Sequence, residues 1–207
     1  MTLAGAGVLV ACMSSPSTVV LLGFEDVEVL DLCGPYEVFS VTAQALEGPS
    51  FETHLAAPGA RPFRARNGLV MTPDSDLDAA PPARILVVPG GRGTRALMGD
   101  ETVLEWIRAM AADAEYVLSV CTGSLLLGVA GLLNGLEATT HWSCLDLLRE
   151  AAPKAKLTPG VRFADNGKIV TAAGISAGID GALRLVGKCL GEPALQETAR
   201  YMEYELR

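Results

Sequence analysis

Short apolar runs alternate with longer amphipathic stretches along the chain, and this alternation predicts an α/β protein. Runs dominated by aliphatic side chains are typical of parallel strands that are buried on both faces of a sheet. We find them at residues 18–22, 84–88 and 116–120. Residues 51–57 alternate polar and apolar positions as a further strand, and Asp-Asn-Gly at 165–167 predicts a hairpin.

Helical patterns separate these strands. Residues 101–112 repeat apolar positions on one face, and the apolar residues 125–133 end at the stop signal Asn134-Gly135. Further helices are predicted at residues 142–150, 175–190 and 194–207. A short hairpin or edge strand is predicted at residues 64–71, and a short strand at residues 138–140. We therefore predict a mostly parallel sheet with helices on both faces.

The length of the chain suits a single domain, which we place at residues 18–207 after an N-terminal extension at residues 1–17. Hydrophobic residues make up 50% of the chain and charged residues 19%, which favours a compact fold over a disordered one. The apolar run near the N-terminus is too short to span a bilayer, and no basic residue precedes it. We expect no membrane partner.

Charge and cysteine content exclude several classes of function. A formal net charge of −8 provides no basic surface for nucleic acid, so we expect no nucleic-acid partner. The five cysteines have no Cys-x-x-Cys pair, which favours reduced thiols in a cytoplasmic protein over a disulfide scaffold. With two histidines, a metal site is not expected.

Cys121 stands where the strand at 116–120 changes into a helical pattern. The free backbone amides at a helix N-terminus favour the thiolate, so we predict a lowered pKa and a nucleophilic role for this cysteine. A sharp strand-to-helix turn also presents its side chain above the carboxyl ends of the strands. The alternative is a buried cysteine that packs as a small apolar residue.

Two further segments are candidates for chemistry. Asp31 lies among apolar residues just before Gly34-Pro35, which is predicted to open a helix, so the carboxylate is either an acid for catalysis or a cap of that helix. Gly90 and Gly91 follow a predicted strand and let the backbone approach a ligand, which is what half of an oxyanion hole requires. An ordinary tight turn is the alternative there.

Five ordered segments resemble the isonitrile (isocyanide) hydratases of the ThiJ/PfpI superfamily, and the resemblance covers residues 18–191. They are Leu-Asp-Leu-x-Gly-Pro at 30–35, Pro-Gly-Gly at 89–91, Ser-Val-Cys-Thr-Gly-Ser at 119–124, Ala-Thr-Thr-His-Trp at 138–142 and Gly-Ile-Ser-Ala-Gly-Ile-Asp at 174–180. The resemblance implies a flavodoxin-like three-layer sandwich with a cysteine nucleophile elbow. It also implies a homodimer, a small-molecule substrate and no cofactor.

The resemblance assigns roles to residues of these segments. It makes Cys121 the nucleophile, Asp31 the acid that faces it and Thr122 a neighbour that helps to set the site. The implied reaction adds water to an isocyanide and yields an N-substituted formamide. Such a reaction needs a soft nucleophile and a proton donor, and we expect burial near the thiolate to raise the pKa of Asp31 and keep it protonated.

The resemblance also suggests which residues surround the reacting atoms. The amides of Gly91 and Thr122 are expected as oxyanion-type donors, with Gly90, His141 and Ile175 in the substrate or oxyanion site. One residue departs from the family pattern, because Cys33 occupies a position where a hydroxyl residue is expected in the hydratases. We expect this second thiol near the site, where an oxidative Cys33–Cys121 link is possible.

Other members of the superfamily provide alternatives. The domain resembles the ligand-sensing half of arabinose-regulator-type transcription factors, in which it precedes a helix-turn-helix module. The sequence stops at Arg207, so we expect a DNA-binding regulator to be the less favoured alternative. Deglycase and chaperone relatives carry a glutamate where Asp31 stands, and cysteine peptidases place a histidine where Thr122 stands. Glutamine amidotransferases need a histidine near the C-terminus, where neither closing helix has one, so His141 is the alternative base.

Overall fold

The structure, a computed structural model, describes residues 16–46 and 50–206. Its strands are β1 (Ser17–Leu22), β2 (Phe51–Ala56), β3 (Phe63–Arg64), β4 (Val70–Met71), β5 (Ile85–Val88), β6 (Tyr116–Val120), β7 (Glu137–Ala138), β8 (Lys156–Leu157), β9 (Phe163–Asp165) and β10 (Ile169–Ala172). Its α-helices are α1 (Val29–Ala45), α2 (Thr94–Leu97), α3 (Glu101–Asp113), α4 (Gly123–Val129), α5 (Leu145–Ala151), α6 (Ala177–Leu190) and α7 (Glu192–Tyr201).

Six strands form the central sheet in the order β2-β1-β5-β6-β10-β9. All neighbouring pairs are parallel except β9 and β10, which form the hairpin predicted from Asp-Asn-Gly. Helices α1, α6 and α7 pack together on one face, and α2, α3 and α5 gather around α4 on the other. The three-layer sandwich predicted from the sequence is therefore confirmed, and β5 and β6 lie at its centre. Strand β5 is wholly apolar and buried, and β6 is apolar and buried except for the partly exposed Tyr116 and the buried Ser119.

The helix containing Asp31 begins earlier than predicted. It starts at Val29, so Gly34-Pro35 lies inside α1 instead of opening it. A proline inside a helix removes one hydrogen bond, here the one to the carbonyl of Asp31, and the buried residues that follow, such as Val38 and Phe39, retain the helix by packing. Asp31 consequently lies in the first turn of α1 and does not cap it.

Helix α4 is shorter than predicted. It ends at Val129 and not at Asn134-Gly135, because the backbone turns at Gly131, whose φ is +80°. The apolar residues beyond it remain in the core, as Leu133 shows by its complete burial. The apolar pattern thus reported burial correctly but overstated the length of the helix.

The segment predicted as one helix at 142–150 is a 3-10 turn at Trp142–Cys144 followed by α5. The extension predicted at residues 1–17 falls mostly outside the described residues, and Ser17 already belongs to β1. Within residues 16–46 and 50–206, the structure contains no helix that is both long and apolar enough to traverse a membrane.

Candidate active site

Cys121 occupies the turn between β6 and α4 in a left-handed backbone conformation, with φ +55°. Its amide donates to the carbonyl of Ala172 at 3.0 Å. Its carbonyl accepts from the hydroxyls of Thr140 at 2.8 Å and Ser124 at 3.0 Å. Non-glycine residues in this region are strained by about 1–3 kcal/mol and persist where the surroundings fix them, which these three hydrogen bonds do.

Two glycines allow the carboxyl end of β5 to approach this turn. A Cβ at Gly123 would lie 2.0 Å from the carbonyl oxygen of Val88. A Cβ at Gly90 would lie 2.5 Å from the amide nitrogen of Thr122 and 2.7 Å from Oδ2 of Asp31. The sequence therefore brings the Asp31 carboxyl against the start of α4 by leaving out side chains between them.

The carboxyl of Asp31 is completely buried, and among the described residues neither of its oxygens has a hydrogen-bond partner of standard geometry. Burial raises its pKa from the usual 3.8 to about 7, and the charge of Glu28 adds to this rise. The Cys121 thiol and the amides of Gly90 and Ile175 lie close enough to oppose it. The expected rise in pKa is thus confirmed, with burial as its main cause.

The predicted lowering of the Cys121 pKa is wrong. Burial, and after it the charge of Asp31, raise the pKa of the thiol to about 12. The amides of Thr122 and Ile175 act in the opposite direction but do not compensate, because Cys121 is only 7% exposed and α4 has only seven residues. The thiol therefore keeps its proton at neutral pH unless a neighbouring base removes it.

Thr122 holds the peptide of Gly91 in place. The Gly91 amide donates to Thr122 Oγ1 at 3.0 Å, and the Thr122 hydroxyl donates back to the Gly91 carbonyl at 3.1 Å. Thr94 Oγ1 and Arg95 also donate to that carbonyl, at 2.9 and 3.0 Å. In this structure Thr122 Oγ1 accepts the hydrogen of the Gly91 amide, and the role of that amide as an oxyanion donor stays a prediction.

Ile175 is the second strained residue beside the thiol, with φ +48°. A β-branched side chain in the left-handed region is a genuine outlier. This backbone places the Ile175 amide where it lowers the pKa of both Cys121 and Asp31. The Thr122 and Ile175 amides, and not that of Gly91, are thus the backbone donors that face the sulfur.

A cavity of about 330 Å³ opens above Cys121. Its lining includes Gly91, Thr122, Ile175 and His141, as well as the charged residues Glu28, Arg66, Arg92 and Arg95. The His141 ring lies so close over Gly174 that a Cβ there would come within 2.5 Å of it, and its Nδ1 pairs with the Ser143 hydroxyl at 2.8 Å. His141 therefore forms part of the cavity wall, away from the buried side on which Asp31 meets the thiol.

Cys33 does not belong to this site. It follows Asp31 by two residues in α1 and so points about 200° around the helix, into a separate cavity lined by Tyr36, Leu55 and Met71. The second thiol in the Cys121 cavity is Cys144, whose sulfur accepts from Arg95 at 3.3 Å. The expected proximity of Cys33 and Cys121 is thus wrong.

In the described ranges, no group of three or more histidine, cysteine, aspartate or glutamate residues is arranged to hold a metal ion.

Comparison with known proteins agrees with this architecture. Residues 17–188 match the DJ-1/PfpI family. The chain belongs to the DJ-1/PfpI family. It is 41% identical to an isonitrile hydratase of Pseudomonas putida over 182 residues, which cover 87% of this chain and 75% of the hydratase.

Two further relatives show how widely this family domain is used. The chain is 28% identical to GbdR of Pseudomonas aeruginosa, a transcriptional regulator of the helix-turn-helix type. The match covers 92% of this chain and 52% of the regulator. Among solved structures, a ThiJ/PfpI family protein from Pseudomonas syringae superposes on this chain with a TM-score of 0.87 at 29% identity. The superposition covers all of this chain and 82% of the other protein.

The sequence predicted the residues at the centre of this candidate site, but not the residues that hydrogen-bond to them from neighbouring segments. Cys121, Thr122, Gly91, His141 and Ile175 line one cavity, whereas Asp31 and Gly90 lie behind it. The residues that were missed are Thr140, Ser124, Thr94, Arg95 and Cys144. Thr140 and Ser124 lie in segments that carry the resemblance, so the sequence contains a signal for them. The other three residues belong to none of those segments.

Proposed function

We propose that the protein is a cofactor-independent cysteine enzyme that adds water to an isocyanide and releases an N-substituted formamide. The similarity to an isonitrile hydratase supports this reaction. The observation that carries it is the buried pair of Asp31 and Cys121, in which a carboxyl with a pKa of about 7 adjoins a thiol with a pKa of about 12. Between these two values the pair holds one proton, which it can pass between sulfur and oxygen.

In the first step, the Asp31 carboxylate takes the thiol proton while the sulfur of Cys121 forms a bond to the terminal carbon of the isocyanide. Electron density moves onto that carbon, and the protonated Asp31 returns its proton there. The product is a thioimidate, R–N=CH–S–Cys121, with no change in oxidation state. Because the Asp31 carboxyl is completely buried, it meets the thiol on a side that bulk water does not reach.

In the second step, water attacks the thioimidate carbon and the sulfur leaves as the thiolate. Asp31 takes a proton from the water and gives it to the departing sulfur, which restores the starting pair. The nitrogen is protonated as the product tautomerises to the formamide. The amides of Thr122 and Ile175 support the negative charge on sulfur in both steps, since they already lower the pKa of the Cys121 thiol.

The direct test is to incubate the pure protein with cyclohexyl or aryl isocyanide and measure formamide. Cys121→Ala should abolish turnover, and Cys33→Ser, which alters a thiol of a separate cavity, is the matched control. Formamide production by Cys121→Ala at the parent rate would exclude the thioimidate. Absence of formamide from the parent with every isocyanide would exclude the reaction.

A ligand-sensing role is the second candidate, and the similarity to a transcriptional regulator over 92% of this chain favours it. In that case the cavity above Cys121 would bind a small molecule without converting it. The two candidates are separated by calorimetry alongside the formamide assay, because a sensor binds isocyanide or formamide at a stoichiometry of one and releases no product.

We also propose that the protein is a homodimer. Light scattering at micromolar concentration tests this, because a homodimer has twice the mass of the chain.

A further inference from the structure

The cavity above Cys121 is basic, although the chain as a whole is acidic. Three arginines line it, Arg66, Arg92 and Arg95, against one carboxylate, Glu28. The protein carries a formal net charge of −8. The excess of positive charge in this cavity contrasts with the net negative charge of the protein and favours the binding of negatively charged ligands.

Arg66 contributes little to this excess, because its guanidinium lies 3.4 Å from the Glu28 carboxylate and its side chain is 58% exposed. Arg92 and Arg95 differ from it. Ion pairs with carboxylates occupy many of the other arginines, namely Arg84, Arg108, Arg149, Arg162, Arg184 and Arg200. Among residues 16–46 and 50–206, no carboxylate lies within ion-pair distance of Arg92 or Arg95.

The guanidinium of Arg95 is fixed in place without being neutralised. It donates to the Gly91 carbonyl at 3.0 Å, to Thr94 Oγ1 at 3.1 Å and to Cys144 Sγ at 3.3 Å. An arginine has five N–H donors, so these three contacts to uncharged partners leave two donors over within the described part of the chain. The Arg92 side chain makes no hydrogen bond to any described residue, and its charge is available at the rim of the cavity.

We propose that the substrate of this cavity carries a carboxylate, which Arg92 and Arg95 bind while the reacting carbon faces Cys121. A planar guanidinium matches a carboxylate with two parallel hydrogen bonds, which gives orientation as well as attraction. A volume of about 330 Å³ accommodates a small acid together with its reactive group. The identity of that group as an isocyanide rests on the proposed function, whereas the anionic character of the ligand rests on the arginines.

The first experiment compares acids with their esters. Isocyanoacetate and 4-isocyanobenzoate are assayed against their methyl esters, which are nearly equal in size and differ in charge. We expect kcat/KM to be about 10- to 100-fold higher for the acids, the range given by hydrogen bonds to charged groups. Arg92→Gln should reduce this preference to within a few-fold, and Arg61→Gln, a change of an exposed arginine outside the cavity, should leave it unchanged.

A second measurement does not depend on hydration of any isocyanide. Iodoacetate and iodoacetamide alkylate the same sulfur with the same leaving group, but only iodoacetate is charged. The ratio of their rates at Cys121, resolved from Cys144 by mass spectrometry, should exceed the ratio in the unfolded chain by about tenfold, and should fall in Arg92→Gln and at high salt.

The two measurements separate the two proposals. An elevated alkylation ratio without formamide from any isocyanide would retain the anionic ligand and overturn the hydratase. Equal kcat/KM for acids and esters, with an alkylation ratio at Cys121 equal to that of the unfolded chain, would overturn the anionic ligand and leave the hydratase intact.

Discussion

The Asp31 carboxyl and the Cys121 thiol titrate as a pair in the interior of the protein. Burial raises the pKa of both groups, the charge of Asp31 raises that of the thiol further, and the nearby thiol opposes the rise in the pKa of the carboxyl. Between about pH 7 and about pH 12 the pair therefore holds one proton. This state contains both a base next to the sulfur and a proton for the substrate.

Replacing the carboxyl separates acid–base chemistry from nucleophilicity. Asp31→Asn should reduce formamide production by about 100- to 10,000-fold, because the sulfur loses the base that deprotonates it. The same variant should shift the pH profile of Cys121 alkylation to lower pH, because the charge that raises the thiol pKa is gone. The matched control is Asp113→Asn at the exposed end of α3. Near-normal turnover in Asp31→Asn would remove Asp31 from the mechanism and make His141 the next candidate.

The buried carboxyl should also make stability depend on pH in a defined direction. The pKa of Asp31 is raised in the folded state, so the folded protein binds this proton more tightly than the unfolded chain. Its contribution is complete below the unfolded value of 3.8 and is lost as the pH rises through about 7. The loss amounts to about 4 kcal/mol at 1.36 kcal/mol for each pKa unit.

Asp31→Asn lacks this titration. The melting temperature of the parent, minus that of Asp31→Asn, should therefore decrease between pH 4 and pH 8. Calorimetry at several pH values measures this difference. Any effect of the asparagine substitution on stability that does not change with pH shifts all the values equally, so it does not alter the trend. A difference that stays flat across this range would show that the carboxyl is not held protonated by the fold.

Turnover should follow the same titration. Below about pH 7 both members of the pair are protonated and no base is available, so kcat/KM for isocyanide hydration should increase as the pH rises through about 7. The plateau should extend towards the thiol pKa of about 12, as far as the fold tolerates alkaline solution. A profile that decreases through pH 7 would mean that the protonated acid, and not the carboxylate, starts the reaction.

The hydrogen bonds that fix the Cys121 turn can be tested without touching either reacting group. Thr140→Val removes the 2.8 Å hydrogen bond to the Cys121 carbonyl, should cost about 1 kcal/mol of stability and should lower kcat/KM by between about 10- and 100-fold by loosening the turn. The control Thr158→Val removes a longer, part-buried hydrogen bond of 3.3 Å between a threonine hydroxyl and the Ala138 carbonyl, away from the thiol. Equal kinetic effects of both substitutions would indicate a general loss of stability.

The sequence predicted the sheet well because strands buried on both faces are mostly apolar, which is visible in β5, and in β6 apart from Ser119, without any knowledge of their neighbours. It also located Cys121 at a strand-to-helix junction. The pairing with Asp31 spans 90 positions and depends on how α1 packs beside β5, which no local pattern specifies. The resemblance supplied that pairing, and the periodicity did not.

The thiol pKa shows why local reasoning was insufficient. The start of α4 is visible in the sequence, and its amides do lower the pKa of Cys121. The depth of burial is a property of the whole fold, and it outweighs those amides. The same holds for Arg95 and Cys144, because the segments that carry them become part of the site only after α2 and α5 pack around α4.

The left-handed backbone of Cys121 sets a limit on how this protein can be made more robust. Glycine adopts φ +55° without strain, so Cys121→Gly should be more stable than Cys121→Ala by about 1 kcal/mol. Among variants without the sulfur, a screen by heat resistance alone would therefore select glycine at this position. Thermostabilisation of this chain requires an activity measurement in every round, because heat resistance does not report loss of the nucleophile.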